Sequence, residues 1–598
     1  MDKIRKRSEI PVEDTWATTD LYATDEAWEQ ELSTLEADKQ ALAGYAGRLS
    51  ESGKTLYDYL YLMEMTDAKI SLLANYCMRK GDEDTRNATY QAMSGKFMSI
   101  VIALGAALSF ETPELMAISD ETLDGFYATC PELERYRRYL TNLRRKRDHI
   151  LSPAEEKLLA SAGEISQAPQ TAYGMFANAD LKFEDALDAE GNPHAVSQGT
   201  FVPLESGSDR VLRKNAYESL YKGFSNFRNT AASLLNAQNK QLKFYAEARK
   251  YNNAFEAALN NTNVPTSVYL NLIESVHKNM DKMHRYVRLR KKMLGVDELH
   301  FYDVYAPLVA DVDKQIPFTE AKQTVYDALA PMGEEYRAIL KQGFENRWID
   351  VYQNEGKRSG AYSAGAAVHP FVLLNYSGTL DSQFTLAHEM GHALHSYLSN
   401  KHQNPIDAHY VIFVAEVAST CNEALLMEYL LDKTTDKKER IYLINHFLEQ
   451  FKGTLYRQTM FAEFELNIGK MVAQGQTLTA DVLCGEYRRL VEEYFGPDMV
   501  VDDLIAMEWA RIPHFYNNYY VFQYATGYSA AIALSRKILA EGEPAVKDYI
   551  NFLSGGCSKS PIDLLRGAGV DMAGPEPVEA ALTLFGELLD EMEALIGE

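Results

Sequence analysis

Apolar residues along this chain recur mostly at helical spacing. Segments 26–48, 52–80, 84–109, 132–147 and 153–165 carry them at i, i+3, i+4 and i+7, with short joints such as Glu111-Thr112-Pro113 between them. This predicts an antiparallel helical array over the first quarter of the chain. The longest apolar run, Phe97 to Phe110, is shorter than a bilayer span and reads as a buried helix. From Leu181 to Leu204 the period changes to two around Glu190-Gly191-Asn192-Pro193, which predicts a small β-hairpin with a domain boundary beside it. Helical spacing returns from Ser208 to about Lys292, from Phe318 to Phe344, and from 411 to the end.

Residues 345–378 form a second non-helical island, with Gly356, Gly360, Gly365 and Gly378 and the β-type run Phe371-Val372-Leu373-Leu374. The expectation is a mainly α fold with a small sheet, divided into an N-terminal helical domain, 1–195, and a second, larger domain, 196–598. At 598 residues the chain is long enough for several such units.

Charge narrows the partners. The formal net charge of −25 argues against nucleic acid or an anionic membrane surface, because phosphate binding needs a basic field. One basic run, Arg135, Arg137, Arg138, Arg144, Arg145, Lys146 and Arg147, reads as a solvated helix face. Five cysteines, Cys77, Cys130, Cys421, Cys484 and Cys557, are scattered without a CxxC pair, as in a reducing compartment. With a polar N-terminus that lacks an apolar signal core, the expected location is the cytoplasm.

The chemistry concentrates in TLDSQFTLAHEMGHALHSYLSN, Thr379 to Asn400. Thr379 or Asp381 can cap a helix here. His388 and His392, four positions apart, then lie one above the other on one helix face, near enough to share one zinc ion. Glu389 points toward that ion without binding it, in place to take a proton from water. Gly391 costs about 1 kcal/mol relative to alanine in a helix interior, so a close neighbour on the metal face is expected to require it.

A catalytic zinc normally has a third protein ligand. The next helical stretch, VIFVAEVASTCNEALLMEYL, places Glu416 twenty-four residues after His392 and puts Glu416, Thr420 and Glu423 on one face. Glu416 is the candidate ligand, and Glu423 the candidate acceptor that fixes a ligand histidine's tautomer. The strand before the histidine helix, Phe371, Val372, Leu373, Leu374 and Asn375, is the candidate edge that aligns an extended peptide. His369 and His395 are left as structural or supporting residues. The same ligands bind several first-row ions, so cobalt or manganese stays open beside zinc.

HEMGH followed by FVAEVAST resembles the thimet oligopeptidase and oligoendopeptidase F family of zinc metallopeptidases. IPVEDTW near the N-terminus, GKRSGAYS and LLNYSGTLDSQFTLAHEMGHALH resemble the oligoendopeptidase F branch, and the likeness spans nearly the whole chain. The resemblance implies a multi-helical closed ellipsoid with one Zn2+ per chain at the bottom of a deep channel, cleaving oligopeptides and excluding folded proteins. It also implies a histidine and tyrosines that stabilise the oxyanion, drawn from Arg511 to Tyr528. Carried over residue by residue, these are His514, Tyr519 and Tyr524, with the choice among the tyrosines open because the spacing differs between branches.

The resulting expectation is peptide hydrolysis with a metal held by His388, His392 and Glu416 and with Glu389 as general base. Two other readings remain at this stage: a silent relative that binds peptide or metal without reaction, and a metal-dependent hydrolase of non-peptide amides.

Overall fold

In a computed structural model of the chain, residues 4–309 and 315–597 are described. The protein is mainly α-helical, with three small sheets among the described residues. Its contacts define two units, neither of them one continuous stretch. The first comprises Met1–Ile150, Lys314–Tyr429 and Leu534–Val570; the second comprises Leu151–Asp313, Leu430–Ala533 and Asp571–Glu598.

The predicted N-terminal helices form as Asp25–Ala43, Gly53–Glu83 and Ala88–Ala107, capped by Thr24, Ser52 and Asn87. Trp28, Leu32, Leu35, Leu73 and Phe97 pack into one core cluster, and Leu56, Tyr59, Leu60, Leu133 and Tyr136 into another. Three local expectations are corrected. Glu111-Thr112-Pro113 opens the helix Glu111–Ala117 rather than breaking the chain, since a first-turn proline lacks only an N–H that has no partner within the helix.

The run Phe97 to Phe110 is not a buried helix. Ala88–Ala117 is long and apolar enough to cross a membrane by composition, yet only 17% of its most apolar window is buried. The basic run is not simply solvated either. Arg135 reaches the buried carboxylate of Glu64 at 2.8 Å, and Arg144 and Arg147 share Asp120. The expected small hairpin is present, pairing Ala186–Leu187 antiparallel with Pro193–His194 and with Gly191 at positive φ in the turn; Ser197 then caps a helix, Gln198–Glu205.

The sheet beside the histidine helix lies wholly in the first unit. Its order places Phe371–Leu373 in the centre, parallel to Ile349–Asp350 on one side and antiparallel to Tyr362–Ala364 on the other. The N-terminal segment closes over it. Trp16 packs on Phe371 and Leu373, Ala17 N–H donates to Arg347 O at 2.9 Å, and Arg7 pairs with the fully buried Asp350, which Lys357 also holds at 2.6 Å. This is the structural use of the IPVEDTW motif.

Candidate metal centre

Thr379 caps the histidine helix, Leu380–His402, accepting from Ser382 N–H at 3.1 Å. The neighbouring helix, Ile412–Lys433, carries the acids. The two helices meet at Gly391, where a Cβ would lie 2.5 Å from Ser419 Cα and 2.6 Å from Ala418 O. The helix-interior glycine is thus required by backbone contact with the acidic helix. Asn422, fully buried, braces the same junction: its side chain donates to Ala387 O at 3.1 Å and accepts from Tyr336 Oη at 2.8 Å. Sequence reasoning missed Asn422, because nothing local marks which carbonyl it will meet.

Across that junction the ligand atoms converge. Glu416 Oε2 lies 3.4 Å from His388 Nε2 and 3.6 Å from His392 Nε2, and all three donor atoms fall within 4.8 Å of one another. Donors about 2.0–2.1 Å from a tetrahedral zinc are separated by roughly 3.3–3.5 Å, so these residues fit a bound ion. Glu423 Oε1 stands 3.4 Å from His388 Nδ1, on the far side of the ring from the candidate ligand nitrogen. Glu389 is 7% exposed, and its Oε2 has no hydrogen-bond partner among the described residues.

Protonation follows from these contacts. Burial alone would lower the His388 imidazole, but its bonds to Glu416 and Glu423 hold it well above its ordinary value. Burial alone would raise Glu416, but His388 and His392 hold it well below the usual carboxylate range. Glu389 is pushed up by burial. A second cluster, His277, Glu463 and Glu493, also meets metal-ligand spacing, but Arg489 already stands 3.6 Å from Glu463 and 2.7 Å from Glu493.

His395 makes packing contacts and His369 packing and hydrogen-bond contacts. His395 stacks on Tyr410 with centroids 3.7 Å apart and is held neutral by burial, pushed down to about 3. His369 stacks on Trp348 and bonds Asp20 at 3.1 Å.

Two expectations fail here. Phe371, Val372, Leu373, Leu374 and Asn375 do not form a substrate edge. Their strand is flanked on both sides: Val372 N–H donates to Trp348 O and Leu374 N–H to Asp350 O, each at 2.8 Å, and residues 371–373 also pair with Tyr362–Ala364. Among the described residues the outer edge on that side belongs to Tyr362–Ala364, and Gly365, next to it, packs so close to the histidine helix that a Cβ would lie 2.9 Å from Ser396 Cβ.

The second failure is Tyr519. In the second unit His514, Tyr520 and Tyr524 form a partly exposed cluster, with ring centroids 6.4 Å (His514 to Tyr520), 6.0 Å (His514 to Tyr524) and 5.3 Å (Tyr520 to Tyr524) apart. Tyr519 turns the other way, 4% exposed, against Phe255 and Tyr269. The tyrosine packed beside His514 and Tyr524 is Tyr520. Asn518 and Tyr519 both have positive φ, 52° and 57°, and sequence spacing does not reveal two consecutive non-glycine residues in that conformation.

A helical scaffold with two histidines and a carboxylate converging from adjoining helices, beside a buried second carboxyl group, defines a metallopeptidase of the HExxH class. Residues 204–584 match Peptidase family M3 and residues 114–183 match Oligopeptidase F. The oligopeptidase PepF of Bacillus subtilis is 45% identical over 596 residues, covering 100% of this chain and 89% of that protein. An oligoendopeptidase F homologue of Lactococcus lactis is 38% identical, covering 99% of both. Among solved structures, a peptidase of Chlamydophila abortus superposes with a TM-score of 0.93 at 36% identity, covering 99% of this chain and 100% of that one. The oligoendopeptidase F of Enterococcus faecium superposes at 0.75 and 36%, covering 96% and 99%. The chain belongs to peptidase family M3, in its oligoendopeptidase F branch, and is a metalloendopeptidase acting on oligopeptides.

Proposed function

We propose that the chain is a zinc-dependent endopeptidase that cleaves internal bonds of short oligopeptides, with Glu389 as general base. The observation that carries this reading is the convergence of His388, His392 and Glu416 beside a buried Glu389 carboxyl oxygen that has no hydrogen-bond partner among the described residues. A bound zinc ion would polarise the scissile carbonyl and acidify a water at its open position. His388, His392 and Glu416 are the groups that hold the ion. Glu423, accepting from His388 Nδ1–H, leaves the Nε2 lone pair for it.

Glu389 takes the proton of the attacking water and returns it to the departing amine. Tyr362–Ala364, the outer strand beside the histidine helix, offers the main-chain groups that can pair with an extended peptide, the role that 371–375 cannot fill. The family resemblance assigns the oxyanion's N–H and O–H donors to the Arg511 to Tyr528 segment, in which His514, Tyr520 and Tyr524 cluster.

The test is Glu389→Gln in a quenched fluorescent peptide assay, run with elemental analysis. Metal content stays at wild type while kcat falls about 10²–10⁴-fold. A variant with wild-type turnover removes Glu389 from the mechanism, and a wild-type protein that chelation does not slow removes the metal.

A further inference from the structure

Glu465 lies in the middle of the helix Arg457–Ala473, 3% exposed, where a carboxylate is poorly solvated. Burial pushes its carboxyl up to about 8. One oxygen accepts from the backbone N–H of Tyr519 at 2.6 Å, and the other has no hydrogen-bond partner among the described residues. One helical turn on, Gly469 receives the Tyr519 phenol: a Cβ there would lie 2.1 Å from Tyr519 Oη. Residues 465 and 469 share a helix face, so one turn of helix holds both the backbone and the side chain of a single tyrosine.

That tyrosine is the second of the two left-handed residues. Asn518, the first, lies 3.3 Å from Gln238 Nε2, which also donates to Tyr516 O at 3.2 Å. Non-glycine residues keep this conformation only where their surroundings over-determine it. The consequence is visible one residue later. With Tyr519 locked inward, the adjacent Tyr520 faces His514 and Tyr524.

We infer that Glu465 and Gly469 are positioning residues for the oligopeptidase reaction, gripping Tyr519 so that the loop presents Tyr520 beside His514 and Tyr524. The inference rests on the reading above that this cluster serves the substrate's oxyanion. Glu465 touches neither substrate nor metal; it acts through the turn.

The experiment uses the full-length, metal-loaded protein and four variants, Glu465→Met, Glu465→Gln, Gly469→Ala and Tyr520→Phe. Glu465→Met removes the acceptor at similar volume, while Glu465→Gln keeps a carbonyl oxygen for Tyr519 N–H. The expected result is a kcat lowered about tenfold or more in Glu465→Met with KM changed far less, and recovery of most of it in Glu465→Gln. Gly469→Ala, which displaces the same ring from the other end, lowers kcat in the same way and carries the test if Glu465→Met does not fold. Metal content stays at wild type throughout.

Tyr520→Phe separates this inference from the reading beneath it. If Tyr520→Phe is impaired while Glu465→Met and Gly469→Ala turn over at wild-type kcat, the positioning role is overturned and the donor role stands. If Tyr520→Phe itself keeps wild-type kcat, both fall. Equal losses in Glu465→Met and Glu465→Gln overturn the role of the hydrogen bond.

Discussion

Replacing Gly391 with alanine sets two effects against each other. Helix propensity alone predicts that the variant gains about 1 kcal/mol, since glycine is the poorest ordinary residue in a helix interior. Packing predicts the opposite. The new methyl group would sit 2.5 Å from Ser419 Cα, and ordinary contact begins at 3.4 Å, so the acidic helix must retreat by about 0.9 Å.

The obstructing atoms are backbone, which cannot rotate aside, and overpacking of this kind costs about 1–3 kcal/mol. Glu416 is three residues from Ser419 on the same helix and would move with it. Metal sites tolerate only about 0.2 Å in ligand distance, so the expected effect is a loss of metal affinity of at least about tenfold. A displacement near 1 Å also lowers kcat, by about a hundredfold. Chelator-competition titration and thermal unfolding of the metal-free and metal-loaded forms measure both quantities. A variant with raised Tm and wild-type metal affinity would refute the reasoning, because it would mean that the two helices are not in backbone contact at Gly391.

Two other perturbations test separate parts of the account. Glu423→Ala should weaken metal binding about 10- to 100-fold, by freeing the His388 ring, while turnover recovers at saturating metal; unchanged affinity in the same titration would show that Glu423 does not orient the ligand. Glu205, 1% exposed and with one oxygen that has no hydrogen-bond partner among the described residues, is pushed up to about 9 by burial from an ordinary 4.5. Between those values the folded chain keeps a proton that the unfolded chain has released, so stability falls as pH rises through the window. Glu205→Gln should therefore raise Tm at pH 8 more than at pH 5, and an equal shift at both values would contradict the assignment.

The metal helix was legible because its information is local. The spacing of His388 and His392, the cap at Thr379 and the anomaly of Gly391 all lie within twenty-two residues, and one helix geometry interprets them. Glu416 and Glu423 were legible for the same reason, as two acids on one face of the next helix. What was not legible depends on distant chain. That Phe371–Leu373 is a central strand is decided by its partners at Ile349–Asp350 and Tyr362–Ala364, not by its own composition.

The apolar run from Phe97 has the composition of a core helix, because hydrophobicity normally implies burial, yet only Met93, Phe97 and Leu104 of Ala88–Ala107 are buried. Arg135 has the local pattern of a solvated face because Glu64, its partner, lies seventy-one residues earlier. Tyr519 and Tyr520 are neighbours of identical type. A buried glutamate and a glycine in another helix determine which of them turns inward, and no pattern around the tyrosines records that.

The central claim is that His388, His392 and Glu416 bind one divalent ion beside Glu389. Anomalous diffraction from crystals of the purified protein, collected on both sides of the zinc absorption edge, tests it most directly. The account predicts one strong peak per chain, present only above the edge and about 2.0–2.2 Å from His388 Nε2, His392 Nε2 and a Glu416 carboxylate oxygen. A peak held by other residues, or none at this site in active crystals, would contradict it.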